Sequence, residues 1–134
     1  MIRAGGRAMI APMPLIAAAF ALCLAIPRTT CVVDGDTFWL RGEKVRIAYI
    51  NAPEIHGARC PAELALGESA TRRLIGLLNA GPFELVAGPR ERDRYGRLLR
   101  TVVRGGRSLG EALVVEGLAE RWQGRRGDWC ARGA

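Results

Sequence analysis

The feature that most constrains this chain is the stretch VDGDTFWL at residues 33–40. Asp34-Gly35 lies between two apolar runs, and Asp-Gly in that position is a strong signal for a tight turn between antiparallel strands, because glycine accepts positive φ. A hairpin needs only one aspartate, whereas this one has a second, Asp36. Turn chemistry does not explain Asp36, so the stretch predicts a hairpin and also a carboxylate with another role.

The rest of the chain reads as short strands and two helices. Apolar alternation and bounding Gly, Pro and Asn predict strands at residues 31–33, 37–40, 44–50, 83–87 and 98–104. A long helix is predicted at residues 62–79, with Leu66, Ala70, Leu74, Leu77 and Leu78 on one stripe. A short helix at residues 109–116 begins at the capping sequence SLGE.

This order of elements predicts a mainly β fold with helices, of the α+β class. Five strands, with the long helix between the third and fourth and the short helix after the fifth, favour a small closed five-stranded barrel of the oligonucleotide-binding type. The alternative is an open sheet with two helices on one side. In the strand at residues 44–50, alternation should place Val45, Ile47 and Tyr49 on one face and Arg46 on the other.

The first 27 residues differ in character from the remainder. Arg3 and Arg7 precede an uncharged apolar run of 12 residues at positions 15–26, which is typical of a secretory signal peptide. A membrane span needs about 20 apolar residues. We therefore predict a leader at residues 1–27, a folded domain at residues 28–134 and secretion or export to the periplasm, with an uncleaved membrane anchor as the alternative.

Charge and cysteine content limit the partners. The chain has 20 Lys and Arg against 13 Asp and Glu, a net charge of +7, and Lys44 is its single lysine. Arginine forks bind phosphate in a bidentate fashion, which suits a polyanion, although a coding bias toward arginine would give the same composition. If Cys23 leaves with the leader, three cysteines remain, which indicates one disulfide and one thiol. Without a C-x-x-C pair and with His56 as the only histidine, the spacing fits no zinc site.

Four features converge on phosphate chemistry: the Asp34/Asp36 pair, Arg46, the NAPE sequence that ends in Glu54, and Arg97 in DRYGR. Each has an ordinary explanation, such as a surface pair between Arg97 and Asp93. Together they suit metal-assisted phosphodiester hydrolysis, in which Arg46 and Arg97 hold the phosphate oxygens and Glu54 orients or deprotonates the attacking water.

The same region offers oxygen ligands for a hard cation. Ca²⁺ takes carboxylate, amide and backbone carbonyl oxygens. Asp36, the Asn51 side chain and the Ala52 carbonyl are the three candidates. A cation there would polarise the phosphoryl oxygen.

In this order, VVDGDTFWL, KVRIAYINAPE, the long helix, DRYGR and SLGEALVVEGLAE resemble the staphylococcal nuclease (thermonuclease) family over residues 31–122. The resemblance implies a five-stranded oligonucleotide-binding-type barrel and Ca²⁺-dependent endonuclease activity on DNA and RNA that releases 3′-phosphate ends. It assigns catalysis to Arg46, Glu54 and Arg97, and metal binding to Asp36, Asn51 and Ala52, with Asp34 as a neighbour. It also places Arg94 and Tyr95 near a terminal phosphate of bound nucleotide.

Two positions depart from the family pattern. The family usually has aspartate where this chain has Asn51, and this loss of charge should weaken Ca²⁺ binding. Ala52 replaces a threonine whose backbone carbonyl is the ligand, which matters less.

The resemblance also implies a disulfide. In that fold, the loop before the long helix and the tail after the second helix approach the same rim. We therefore expect a Cys60–Cys130 bridge, with Cys31 unpaired.

Three functions are compatible with these residues. An exported Ca²⁺-dependent endonuclease is favoured, acting as a monomer on DNA or RNA, with single strands preferred and no protein partner evident. The second is a catalytically weak nucleic-acid-binding barrel in which Asn51 has weakened the metal site. The third is a structural or protein-binding domain, which would have no salt-sensitive affinity for nucleic acid.

Overall fold

The computed structural model describes residues 14–24 and 26–131. Within them the strands are β1 (Cys31–Asp34), β2 (Thr37–Leu40), β3 (Glu43–Ile47), β4 (Ile50–Asn51), β5 (Glu84–Arg92), β6 (Leu98–Arg104), β7 (Arg107–Ser108) and β8 (Glu120–Arg121), and the helices are α1 (Pro61–Asn79) and α2 (Leu109–Val115). The predicted mainly β fold, with a long helix followed by a short one, is confirmed.

The main sheet runs in the order β1-β2-β3-β6-β5, and β7 adds to β6. Its pairs are antiparallel except β3 with β6, which run parallel with Val45 opposite Leu98. β4 and β8 form a separate antiparallel pair. Among the described residues β1 and β5 are the two ends of the path and do not pair. Strand pairing alone therefore leaves this sheet open, and the order of its elements is consistent with the predicted oligonucleotide-binding-type fold.

Residues 14–24 bridge the two ends of the sheet. Ile16 pairs with Phe83, just before β5, through N–H···O bonds of 2.7 and 3.1 Å. Leu22 pairs with Val32 of β1. The segment thus joins by backbone hydrogen bonds the two edges that the strands leave apart.

The same segment contributes to the core. Phe20 is only 4% exposed, and its ring lies edge-on to that of Phe38, with 5.7 Å between centroids. The Asn79 side chain accepts a 2.8 Å hydrogen bond from Phe20 N and donates one of 2.8 Å to Phe20 O. Since both backbone groups of a buried residue find partners, the segment is well accommodated against α1 and the sheet.

The expectation that Cys31 is unpaired is wrong. Cys31 forms a disulfide with Cys23, with 4.8 Å between their Cα atoms. That expectation assumed that Cys23 departs with a leader. Of the predicted leader, residues 1–13 and 25 lie outside the described residues.

The predicted strand at residues 44–50 is interrupted. Val45 and Ile47 are buried on one face, with Arg46 on the other, as the alternation predicts. Tyr49, however, has φ of 70° and is 65% exposed, so its predicted place on the same face as Val45 and Ile47 is wrong. A residue in the left-handed region cannot continue the pleat, so alternation is lost there and the chain restarts as β4.

Helix α1 begins where its sequence predicts. Cys60 is the N-cap, and Pro61 occupies the first helical turn, where its missing N–H costs nothing. Ala70, Leu74 and Leu78 of the predicted stripe are fully buried against the sheet. Among the residues that the structure describes, no helix is long and apolar enough to cross a membrane.

Candidate functional site

The Asp-Gly-Asp turn between β1 and β2 packs closely against Ala70 of α1 and against Ala52. A Cβ atom on Gly35 would lie 2.7 Å from Ala70 Cβ of α1 and 2.8 Å from Ala52 Cβ. Asp36 N donates a 3.2 Å hydrogen bond to Asp34 Oδ1. Glycine at position 35 is therefore needed for close approach, and it brings the two aspartates against the turn at residues 51–54.

The Asp36 carboxylate contacts several other residues of the site. The residue is 4% exposed. Its Oδ2 accepts a 2.8 Å hydrogen bond from Ala52 N, and its Oδ1 accepts one of 2.8 Å from Thr37 Oγ1. Arg46 Nη2 lies 3.5 Å from Asp36 Oδ2. The structure thus brings three predicted site residues, Asp36, Arg46 and Ala52, into direct contact.

Arg46 is held by the backbone. Its side chain is 14% exposed, and its Nη1 donates to Ile47 O at 2.7 Å and Ile50 O at 2.9 Å. These bonds fix the guanidinium, which lines a groove of about 600 Å³. A fixed guanidinium loses less freedom when it binds an anion.

Arg97 lines the same groove from the loop between β5 and β6. Its Nε donates to Asp93 Oδ2 at 2.7 Å, so the ordinary explanation for Arg97 also holds. Tyr95 is 67% exposed, and its ring centroid lies 5.0 Å from the guanidinium carbon of Arg94 and 5.2 Å from that of Arg97. Arg94, Tyr95 and Arg97 therefore lie together at one rim of the groove.

Glu54 is positioned by α1. A Cβ on Gly67 would come within 2.6 Å of Glu54 O, so this glycine permits the helix to pack on the turn. At the start of α1, Glu63 Oε2 accepts a 3.1 Å hydrogen bond from Glu54 N. The Glu54 carboxylate forms an ion pair with Arg126.

The predicted residues lie in two adjoining spaces. Arg46 and Arg97 line the groove, whereas Asn51 and Glu54 line a smaller cavity of about 130 Å³. The structure therefore places the two arginines predicted to bind phosphate and the predicted base in different spaces. Arg126, which the sequence did not single out, lines both.

Asn51 is 2% exposed and its amide is oriented by the tail. Its Nδ2 donates to Glu120 Oε2 at 2.8 Å, and Gly127 N donates to the same oxygen at 2.7 Å. Because a carboxylate only accepts, the amide nitrogen must face Glu120, which leaves the Asn51 amide oxygen on the opposite side.

Burial and neighbouring carboxylates raise the pKa of Asp34. Burial is the largest cause that raises the pKa of Asp34, to about 8, followed by the negative charge of Asp36, and Glu54 raises it further. Burial by itself also raises the pKa of Glu63, but hydrogen bonds from the N–H groups of Arg59 and Glu54 outweigh it and hold that pKa below its ordinary value. Asp34, Asp36 and Glu54 are thus close enough for their charges to interact.

The part of the chain that the structure describes contains no group of three or more His, Cys, Asp or Glu side chains placed to hold a metal ion. Only one such side chain, Asp36, belongs to the predicted ligand set, which otherwise consists of the Asn51 amide and the Ala52 carbonyl.

The predicted Cys60–Cys130 disulfide is confirmed, with 6.0 Å between Cα atoms and a sequence separation of 70 residues. It joins the start of α1 to the tail after β8. The bridge therefore holds the tail, with Arg126, beside the smaller cavity.

Sequence reasoning missed Glu63, Glu120 and Arg126. Glu63 follows the helix N-cap by three residues, a spacing that could have indicated a capping role. No local pattern marks Arg126, which lies in a tail without clear periodicity.

Comparison with known proteins relates this chain to a family and to named relatives. The sequence model of the family described as "Staphylococcal nuclease homologue" matches residues 44–128. The chain is 37% identical over 92 residues to "Endonuclease YncB" of Bacillus subtilis (strain 168), an alignment that covers 65% of this chain and 43% of that protein. It is also 37% identical over 92 residues to "SPbeta prophage-derived endonuclease YokF" of the same organism, covering 65% of this chain and 31% of that protein. The chain thus spans less than half the length of these relatives.

Proposed function

This chain belongs to the staphylococcal nuclease homologue family, and from that premise we propose that it is an endonuclease that hydrolyses phosphodiester bonds of DNA or RNA. The observation that supports the proposal is the set of contacts made by the Asp36 carboxylate. Its buried carboxylate contacts Arg46 on one side and the Ala52 N–H on the other. One carboxylate thereby ties a phosphate-binding arginine to the turn that carries Glu54.

Each residue of the site has its own role in an in-line displacement at phosphorus. Arg46 and Arg97 bind the non-bridging phosphate oxygens, and their hydrogen bonds strengthen as negative charge accumulates on the phosphoryl group. Glu54 accepts a proton from the attacking water. Arg94 and Tyr95, at the rim of the groove, bind a neighbouring phosphate of the strand.

Calcium fits the donors present. Asp36, the Asn51 amide oxygen and the Ala52 carbonyl would hold it, and all three are the oxygen ligands that Ca²⁺ prefers. When bound, the ion supplies Lewis-acid polarisation of the phosphoryl oxygen.

The groove suits a single strand. It combines arginines with the exposed aromatic rings of Tyr49, Tyr95 and Trp122, and bases stack on such rings once a strand is unpaired. We propose a monomer that acts on single-stranded DNA or RNA.

The deciding experiment is a digest of single-stranded DNA with Ca²⁺ and with chelator, using wild-type protein, Glu54→Gln and the exposed control Glu68→Gln. We expect cleavage by wild type and Glu68→Gln in Ca²⁺ only. Salt-sensitive binding without cleavage would favour the catalytically weak binding barrel, and the absence of any binding would favour a protein-binding domain.

We also propose export to an oxidising compartment. Support comes from the apolar run at residues 15–26 and from the Cys60–Cys130 disulfide, whose two cysteines both lie beyond residue 25, because disulfides persist outside the reducing cytosol. A fusion of residues 1–134 to alkaline phosphatase should be active in cells, and N-terminal sequencing of the exported protein tests whether cleavage occurs near residue 25 or the segment stays as an anchor.

A further inference from the structure

Arg126 is held in place from both sides. Before it, β8 pairs with β4. After it, Gly127 N is bonded to Glu120, Trp129 is only 3% exposed, and Cys130 is joined to Cys60. A short segment with these anchors presents its side chain in a restricted region, so the position of Arg126 is a property of the fold rather than of a free tail.

The side chain of Arg126 lies where the two spaces of the site meet. It lines the groove with Arg46 and Arg97 and the smaller cavity with Glu54. It forms an ion pair with the Glu54 carboxylate yet remains 59% exposed, whereas Glu54 is 20% exposed. An arriving anion can therefore reach the guanidinium without displacing buried structure.

We propose that Arg126 is a third catalytic arginine, which binds the scissile phosphate together with Arg46 and Arg97. This inference rests on the proposed nuclease function. A guanidinium has five N–H donors in a planar fork, so it can bond Glu54 and a phosphate oxygen at once.

The changes in charge during the reaction explain how a contact between Arg126 and the phosphate raises kcat. In the displacement, the water oxygen forms a bond to phosphorus, its proton goes to Glu54, and the bond from phosphorus to the leaving oxygen breaks, with a solvent proton taken up by that oxygen. Protonation removes the negative charge that Arg126 faces at rest, while the phosphoryl oxygens gain charge. The attraction of Arg126 thus shifts from Glu54 to the phosphate as the transition state forms, which is the condition for raising kcat.

The kinetic test compares Arg126→Ala, Arg126→Lys and the neighbouring control Arg125→Ala, each in the full chain with both disulfides formed. Arg125 is exposed and lines neither space, so its removal matches the loss of one positive charge. On a single-stranded oligonucleotide we expect Arg126→Ala to lower kcat about 10²-fold, Arg126→Lys to lower it less because charge remains but the fork is lost, and Arg125→Ala to stay within about threefold.

A binding measurement separates this inference from the proposed function. The probe is a fluorescein-labelled oligothymidylate, and its Kd is measured by anisotropy in the Glu54→Gln background, where no turnover is needed. Adding Arg126→Ala should weaken binding about tenfold, whereas adding Arg125→Ala should weaken it less than threefold.

Two results would overturn the assignment. A kcat for Arg126→Ala equal to or above that of wild type would mean that Arg126 only blocks Glu54. Equal Kd values for the Arg126→Ala and Arg125→Ala proteins would mean that it does not touch phosphate. If the wild-type protein cuts no nucleic acid, the nuclease proposal fails, but the comparison of Kd values still decides whether Arg126 binds the strand.

Discussion

The side-chain amide of Asn51 donates a 2.8 Å hydrogen bond to the carboxylate of Glu120, although 69 residues separate them in sequence. This contact gives a structural reason for a neutral residue at position 51. An aspartate there would place a second carboxylate against Glu120 in a site that is nearly closed to water, where Asn51 is 2% exposed. The neutral amide is thus matched to its neighbour.

The first prediction follows from that match. Asn51→Asp should lower the free energy of unfolding by about 1–3 kcal/mol, because a buried hydrogen bond is replaced by a repulsive contact. The double variant Asn51→Asp/Glu120→Gln should recover part of the loss, since the glutamine amide can donate to the new aspartate, whereas Gly127 N loses its acceptor there. The double variant should also reach half-maximal nuclease activity at lower Ca²⁺ than wild type, because the site gains an anionic ligand.

Urea unfolding and Ca²⁺ titration of the two variants, with Glu120→Gln alone as control, check this. The control keeps an acceptor for Asn51 and should unfold like wild type. Equal Ca²⁺ midpoints in all proteins would show that residue 51 does not coordinate the ion.

The second prediction concerns the proposed catalytic residues. Arg46→Ala, Glu54→Ala and Arg97→Ala should each lower kcat by at least about 10²-fold, because each charge acts mainly on the transition state. Circular dichroism should show a retained fold. Arg107→Ala, an exposed arginine on β7, serves as control, and a Glu54→Ala protein that cuts at the wild-type rate would remove Glu54 from the role of base.

The third prediction concerns the two disulfides. Replacing Cys60 and Cys130 together by serine should cost about 4 kcal/mol, whereas the same change at Cys23 and Cys31 should cost about 2.5 kcal/mol, because loop-closure entropy grows with the length of the loop. These loops span 70 and 8 residues. Only the first change should also reduce kcat, since it releases the tail that carries Arg126.

Peptide mapping of the non-reduced, uncleaved chain of residues 1–134 tests the pairing directly. Linked peptides containing Cys23 with Cys31 and Cys60 with Cys130 are expected. A peptide joining Cys31 to Cys60 would contradict both assignments.

The fourth prediction concerns the N-terminal segment. In the full chain, Phe20→Ala should lower the free energy of unfolding by about 3–5 kcal/mol, because it empties a space between the rings of Phe38 and Phe83. The control Leu24→Ala changes a side chain that is 85% exposed and should alter stability by less than about 0.5 kcal/mol. Equal stabilities of the two variants would mean that residues 14–24 do not pack on the core in solution.

The fifth prediction is a pH dependence. The pKa of Glu63 is held below its ordinary value, because the hydrogen bonds from Arg59 and Glu54 outweigh burial. A carboxylate whose pKa is lower in the folded state than in the unfolded state stabilises the fold when it is ionised. This stabilisation is fully present above the ordinary pKa of glutamate, about 4.3, and is lost as pH falls toward the folded-state pKa. The stability difference between wild type and Glu63→Gln should therefore be constant above about pH 5 and shrink below it. Urea unfolding at several pH values measures it, and a stability difference that stays constant down to pH 3 would contradict the prediction.

Several parts of this protein follow from local sequence. The Asp-Gly turn, the strands that flank it and the apolar stripe of α1 depend on residues within a few positions of one another, so their patterns are readable. The pairing of Arg46 with the Asp-Gly-Asp turn was also accessible, because the motif order resembles a known family.

Other parts were decided by tertiary structure. The exposure of Tyr49 depends on a positive φ that interrupts an otherwise regular alternation. The pairing of Cys31 depends on whether Cys23 stays near it. The contact of Arg126 with Glu54 spans 72 residues, and nothing in the neighbouring sequence of either residue specifies the other. Such contacts arise only when packing of the sheet, the helix and the bridged tail brings distant side chains together. A carboxylate or guanidinium can pair with any opposite charge, so its sequence neighbours do not specify which one it meets.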